Sequence, residues 1–265
     1  MMDKMIFGRY VPADSVLHRM DPRSKLLIVF LYVCIVFIAN NFFTYALLAL
    51  YTLWMAALSK IKPRFLYSGL KPVLWLVIFT LFLHVFLTKE GDLLYELGWL
   101  RIYEEGIRQG IFISLRFLLL IVMTSLLTLT TTPIEITDGL ESLLGPLKRF
   151  KFPVHELSLM MSISLRFIPT LMQETDKIMK AQMARGVEYA SGPLKQRVLA
   201  IIPLLIPLFV SSFKRAEELA VAMEARGYRG GEGRTKYRQL RWSFRDTGMM
   251  LVLGALTVTL VVLRG

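Results

Sequence analysis

The sequence predicts an all-α integral membrane protein, with about five transmembrane helices and three long amphipathic helices on the cytoplasmic side. Hydrophobic residues make up 55% of its 265 residues, and the mean hydropathy is +0.53, which exceeds the values usual for soluble globular chains. Five long apolar runs account for the excess. Between the fourth and the fifth run, charged and apolar residues instead alternate at helical spacing.

The five apolar runs predict the membrane spans. The first holds about 14 strongly apolar residues after Lys25, and such a helix covers about 21 Å of a hydrocarbon core roughly 30 Å thick. The second run, which ends near Leu58, is also short, so flanking residues must snorkel or the bilayer must thin. The other three runs lie near residues 72–87, 110–132 and 248–263.

Charges in the connecting segments predict the orientation of the spans. Basic residues precede the first run and follow the second, which places both ends of that hairpin in the cytoplasm. The segment after the third run is mostly acidic, which suits the outside, and the fourth span returns the chain to the cytoplasm near Thr132. Cytoplasmic loops therefore explain the net charge of +12 better than nucleic-acid binding does. The basic residues are Arg9, Arg19, Arg23, Lys25, Lys60, Lys62, Arg64 and Lys71.

Residues 133–244 predict the three amphipathic helices. The first begins at Pro133 and ends at Pro146, with acidic residues early and basic residues late, as the helix dipole favours. The second and third are long and cover 154–185 and 194–226. The chain thus divides into an N-terminal membrane region (1–132), a cytoplasmic region (133–244) and a C-terminal transmembrane helix (245–265).

Prolines inside the two long helices predict bends. Pro169 lies in the second helix, and Pro203 and Pro207 lie in the third, where each proline removes one helical hydrogen bond. The apolar stretch 198–213 of the third helix could alternatively form a sixth span. That alternative needs a return span before the basic segment 228–245, and no apolar run there supplies one.

Both long helices end in the same tripeptide, Ala-Arg-Gly. The first copy is Ala184, Arg185 and Gly186 in "KAQMARGVEYASG", and the second is Ala225, Arg226 and Gly227 in "AVAMEARGYRGGEG". Average composition would place a given tripeptide roughly once in a few thousand positions, so the repeat requires a physical reason.

Two interpretations of the tripeptide stay open. In the simpler one, Arg complements the helix dipole and Gly is the preferred C-terminal cap, so each copy is a stop signal. In the other, the guanidinium projects from the helix end and forms a two-pronged hydrogen bond with a partner's carboxylate, while the small Ala leaves room for the partner's surface. Two matched ends on neighbouring helices favour a paired docking site for a two-lobed partner.

These ends, together with "SLRFIPTL" in the second long helix and "SVLHRMDPRSKLL" near the N-terminus, resemble the transmembrane component of energy-coupling factor transporters, the T component. The resemblance covers nearly the whole chain. It implies that the long helices are coupling helices whose Arg motifs insert into grooves of two ATP-binding-cassette ATPases. It also implies a separate S component that captures a vitamin or a metal ion, and a location in the plasma membrane, where lipid is a further partner.

Carried over residue by residue, the resemblance implies that Ala184, Arg185 and Gly186 dock one ATPase, and that Ala225, Arg226 and Gly227 dock the other. It gives the chain the role of transmitting ATPase motion to the S component. The residues expected to shape or transmit this motion are Arg166, Pro169, Pro203 and Pro207. For Arg166, both a structural anchor for nearby carbonyls or acids and a functional role are open.

The sequence predicts neither catalysis nor a cofactor. It contains no G-x-x-x-x-G-K-[ST] loop to hold ATP phosphates, and its three histidines lack metal-ligand spacing. The alternative is a membrane enzyme acting on lipid or isoprenoid phosphates, in which Arg116 and Arg166 bind phosphate; the acids are not clustered as such an enzyme needs. Arg116, inside the fourth run, is either buried against another helix or functional. A self-contained channel or secondary transporter would show paired interrupted repeats, which are absent from the sequence.

Overall fold

The chain is helical apart from one short antiparallel hairpin in the part that the computed structural model describes, which comprises residues 10–88, 90–97, 100–189, 193–230 and 239–263. The all-α membrane fold class is confirmed. The elements are α1 (Pro22–Val36), α2 (Phe42–Ser59), α3 (Pro63–Leu87), β1 (Leu93–Leu97), β2 (Leu100–Tyr103), α4 (Glu104–Thr130), α5 (Pro133–Leu143), a 3-10 helix (Gly145–Phe150), α6 (Val154–Ala184), α7 (Leu194–Ala225) and α8 (Phe244–Leu263).

Local sequence signals set several helix starts. Asp21 caps α1 by accepting a hydrogen bond from the Arg23 amide at 2.9 Å, and Pro22 follows at the first helical position. Before α5, the Thr132 hydroxyl accepts from the Glu135 amide, while the Glu135 carboxylate accepts from the Thr132 amide. This reciprocal pair is a capping box, and it ends α4 and starts α5 within three residues.

Within the described ranges the chain forms two compact units, one from the residues up to 143 together with 240–263, and the other from residues between 144 and 239. The first unit has a hydrophobic core shared by α1, α2, α4 and α8, whose most buried side chains include Tyr32, Leu48, Met123 and Leu253. The hairpin, which the sequence did not predict, joins α3 to α4.

Close backbone packing attaches α5 and α3 to this bundle. A Cβ added at Gly139 of α5 would lie 2.9 Å from Leu26 Cδ1, and one at Gly106 of α4 would lie 3.0 Å from the His84 carbonyl oxygen of α3. Helix α5 therefore packs on α1 within the first unit.

Buried polar contacts tie the helix ends together on the side where α1 and α8 begin. The Asp246 carboxylate accepts hydrogen bonds from the Asp21 amide at 2.9 Å, the Ser24 hydroxyl, and the Ser243 amide at 2.7 Å. The Lys25 ammonium donates to the Thr130 carbonyl at 3.0 Å. Helix α1 is thereby fixed to α8 and to the end of α4.

In the part of the chain that the structure describes, five helices are long and apolar enough to cross a membrane, which is the predicted number, but the set differs from the prediction. These helices are α2, α3, α4, α7 and α8. Helix α1, the predicted first span, has 15 residues because it ends at Val36, and that is shorter than the ~20 residues of a typical span. Helix α7 instead has the length and composition of a span, as the alternative interpretation of the stretch 198–213 allowed.

The described part of the second unit consists of the 3-10 helix, α6 and α7, and it exposes a large apolar surface. Only Val154 and Ser158 are buried within α6. Along α7, the described apolar side chains face outward over most of its length. The exposed residues include Ile201, Ile202, Leu205, Ile206, Phe209, Val210 and Phe213 on α7, and Met160, Met161 and Met183 on α6. Such a surface requires lipid or a protein partner.

Candidate docking site at the ends of the two long helices

The first Ala-Arg-Gly copy forms a Schellman end at the C-terminus of α6. Ala184 is the last helical residue and Arg185 is the C-cap, so the helix ends one residue before the end that the sequence predicted. The Gly186 amide donates to the Met183 carbonyl at 3.0 Å, and the Val187 amide donates to the Gln182 carbonyl at 3.0 Å. These are the two bonds that define the motif.

The second copy repeats this geometry at the C-terminus of α7. Arg226 is the C-cap, with φ −89° and ψ 6° against −88° and 6° at Arg185. The Gly227 amide donates to the Glu224 carbonyl at 2.8 Å, and the Tyr228 amide donates to the Met223 carbonyl at 3.0 Å. The two tripeptides therefore have the same backbone conformation. We call residues 184–186 the first end and residues 225–227 the second end.

Glycine is required at both ends by its backbone angle. Gly186 has φ +88° and Gly227 has φ +73°, in the left-handed region that residues with a Cβ rarely adopt. A Cβ at either position would meet no atom within 4 Å. The requirement is thus conformational, and the space around each glycine is open to a partner.

The arginine side chains take no part in these caps. All six residues of the two ends are exposed, and neither Arg185 nor Arg226 forms a hydrogen bond or ion pair with any described residue. The backbone and the glycine close each helix, so the stop-signal interpretation explains Gly but leaves Arg with only the dipole effect. That effect is worth about 0.3–1 kcal/mol and Lys would supply it equally.

Contacts between α6 and α7 show that the helices cross in opposite directions. Near the end of α6, Gln182 Nε2 donates to the Pro203 carbonyl at 3.4 Å. Two turns earlier, Glu174 accepts from the Ser211 hydroxyl and pairs with Arg215 at 3.1 Å. Later positions of α6, from Glu174 to Gln182, thus contact earlier positions of α7, up to Pro203. The two helices are therefore antiparallel.

This crossing sets the two ends well apart. The first end lies next to Pro203, because it follows Gln182 directly. From Pro203 to the second end, α7 continues for about 22 residues, or roughly 33 Å at the α-helical rise. The two arginines therefore present two separate contacts rather than one combined site.

The prolines of α7 are linked to this crossing. Pro207 has no amide hydrogen, so it cannot bond the Pro203 carbonyl four residues earlier. Gln182 of α6 donates to that same carbonyl. The carbonyl that Pro207 leaves without a helical donor is thus the acceptor that holds α6, a role for Gln182 that the sequence did not reveal because Gln182 and Pro203 are 21 positions apart.

The structure shows fewer specific contacts for the other residues that were predicted to take part in coupling. Pro169 lies inside α6, and Arg166 is exposed one turn before it. Among the described residues Arg166 has no hydrogen-bond or ion-pair partner, so the anchor interpretation has no support there. Arg116 belongs to the other compact unit, on α4.

The apolar helices define a multi-pass membrane protein. The family described as cobalt transport protein, CbiQ, matches residues 13–237. The energy-coupling factor transporter transmembrane protein EcfT of Bacillus subtilis is 64% identical over 264 residues, covering 100% of both chains.

Two further relatives carry the same name. The protein of Listeria innocua is 57% identical over 100% of both chains, and that of Streptococcus thermophilus is 53% identical over 99% of this chain and 100% of its own. The chain belongs to the CbiQ/EcfT family of energy-coupling factor transporter transmembrane proteins, which confirms the resemblance seen in the sequence.

Proposed function

We propose that this chain couples two cytosolic ATP-binding-cassette ATPases to a membrane-embedded S component, in a plasma-membrane importer of vitamins or metal ions. The observation that carries the proposal is the pair of identical, exposed helix ends whose arginines have no partner among the described residues. ATP hydrolysis takes place in the ATPases, and the chain transmits their motion.

The geometry of the ends supports docking of one ATPase at each. An Arg beside Ala and Gly places a planar, five-donor cation on a narrow tip that can enter a groove and form a two-pronged hydrogen bond with a carboxylate. Since the ends are separated by roughly 33 Å of helix, each end contacts its own ATPase subunit. The matched backbone suits two subunits with similar grooves.

The long helices supply the connection from these ends to the membrane. Helix α6 has 31 residues and α7 has 32, so each is about 46–48 Å long. Displacement of an end by an ATPase is carried along the helix and redirected at Pro169, Pro203 and Pro207. The exposed apolar face of α7 and the Met residues of α6 are the surface we assign to the S component, and Met adapts readily to a partner that changes position.

Charge reversal at the two ends tests the docking. We expect Arg185→Glu combined with Arg226→Glu to lower ATPase co-purification at least tenfold and to stop uptake, because each substitution places a like charge against the partner's carboxylate. The matched control is Lys177→Glu with Lys195→Glu, which makes the same change in net charge at exposed positions of the same two helices. The control should retain both ATPases.

The single variants refine the test. Arg185→Glu alone should release one ATPase and Arg226→Glu the other, because the two contacts are separate. Wild-type uptake by the double variant, with both ATPases still bound, would show that the ends are not the docking sites.

The alternative of an enzyme acting on lipid or isoprenoid phosphates is not supported further. Its two phosphate-binding arginines, Arg116 and Arg166, fall in different compact units. In the described ranges, His, Cys, Asp and Glu side chains form no group of three or more that could hold a metal ion. The relatives reported above are named as transporter components.

A further inference from the structure

A pocket with an unpaired cation lies at the end of the first unit where α4 begins. It has a volume of about 270 Å³ and opens between the first turns of α4 and the connection from α1 to α2. The residues that line it and enter the argument are Ala39, Tyr45, Glu105, Arg108, Phe112 and Arg116. The docking of ATPases and an S component involves none of them.

Arg116 is only partly satisfied in this pocket. Its Nη2 donates to the Ala39 carbonyl at 3.3 Å, and its guanidinium lies 5.2 Å from the ring centre of Phe37 and 6.0 Å from that of Tyr45. Its Nε is buried and has no hydrogen-bond partner. No described carboxylate pairs with it. A guanidinium has five N–H donors, and a partly buried charge without a counter-ion is costly.

Tyr45 supplies a second unmatched donor to the same pocket. Its side chain is 1% exposed, and its hydroxyl has no hydrogen-bond partner. Its ring stacks on Phe112 with the ring centres 5.0 Å apart. Buried hydroxyl groups are nearly always hydrogen-bonded, and this one belongs to a ring whose centre lies 6.0 Å from the Arg116 guanidinium, so we expect one acceptor in the pocket to serve both groups.

The remaining charges of the pocket cancel. Arg108 pairs with Glu105 at 3.6 Å and lies over the Phe112 ring at 5.8 Å. Arg116 therefore leaves the pocket with one net positive charge. A monoanionic acceptor group would neutralise it.

We propose that this pocket binds the phosphodiester of an anionic phospholipid headgroup, held by Arg116 and Tyr45. Arg116 donates to the carbonyl of Ala39, three residues before the start of α2, a helix long and apolar enough to span the membrane, so the pocket lies at the level of one end of that helix. Phe37, Phe42 and Phe43, next to the pocket in the α1–α2 connection and the start of α2, are all exposed. Exposed phenyl rings at one end of a membrane-spanning helix lie more favourably against acyl chains than against water, so a lipid fits better than a free anion.

Titration of the purified full chain with short-chain lipids tests the proposal. Native mass spectrometry would count the ligands bound from dioctanoyl phosphatidylglycerol, dioctanoyl phosphatidylcholine and inorganic phosphate. We expect one saturable phosphatidylglycerol site, at least tenfold weaker binding by Arg116→Gln, and a smaller, several-fold loss in Tyr45→Phe. Arg64→Gln, at an exposed position of α3, is the control and should bind as the wild type does.

Further variants and competition distinguish the outcomes. Arg116→Lys keeps the charge but lacks the planar fork, so it should fold normally and show an intermediate loss. If inorganic phosphate displaces the lipid at millimolar concentration, the phosphate site stands but its source is a free anion. Equal binding by wild type and by the Arg116 and Tyr45 variants, or equal binding of the zwitterionic lipid, would overturn the proposal.

Discussion

Substitution of Gly186 by Ala should distort the first end without creating a steric clash. The position has φ +88°, and a Cβ there would meet no atom within 4 Å. The cost is therefore the left-handed backbone itself, which is roughly 1–2 kcal/mol for a residue with a Cβ. If the ATPase binds the end in the conformation seen here, docking should weaken about 5- to 30-fold.

Two assays measure this effect. Hydrogen exchange should accelerate by a similar factor at residues 186 and 187, because their amides make the two bonds that define the end. Titration with the purified ATPase should show the matching loss of affinity. Gly186→Asn should lose less than Gly186→Ala, since Asn tolerates the left-handed region better.

A matched glycine serves as the control. Gly145 of the 3-10 helix is also surrounded by open space but has no positive φ, so Gly145→Ala should leave exchange at the first end unchanged. If Gly186→Ala exchanged and docked like the wild type, the conclusion that the end is held in one required conformation would be wrong.

Other predictions concern the first unit. Asp246→Ala should lower stability by about 3 kcal/mol, because it leaves the Asp21 and Ser243 amides without their acceptor; thermal unfolding in detergent measures this, and a change below about 0.5 kcal/mol would contradict it. Gly139→Val should cost about 1–3 kcal/mol, since even a Cβ would lie 2.9 Å from Leu26 Cδ1; Gly248→Val, in open space, should cost less in the same assay.

Local signals allowed the long helices to be predicted to within one residue. The predicted ranges 154–185 and 194–226 compare with Val154–Ala184 and Leu194–Ala225 in the structure. Proline just before each helix and glycine just after it act through the adjacent backbone alone. The exposure of the two arginines follows from the same local geometry, so most of the candidate site could be derived from sequence.

Features that depend on distant contacts could not be predicted. The carbonyl partner of Arg116 lies 77 positions away, and Gln182 reaches Pro203 on another helix. The packing of α5 on α1 likewise depends on a close approach between Gly139 and Leu26. Periodicity shows which face of a helix is apolar but not which neighbour covers it.

The choice of spans shows a different limit. The first apolar run and the apolar part of α7 have similar lengths in sequence, but α1 stops at Val36 whereas α7 continues to Ala225. Hydropathy measures composition, and the length of a helix depends on where the chain turns.

Site-specific crosslinking tests the central claim, that each end docks its own ATPase, most directly. The chain has one cysteine, Cys34, so a Cys34→Ser background with Ala184→Cys or Ala225→Cys places a single photoreactive label at one end. In the assembled complex with two distinguishable ATPase subunits, we expect the label at residue 184 to react with one subunit and the label at 225 with the other. Reaction of both labels with the same subunit, or with neither, would contradict the account.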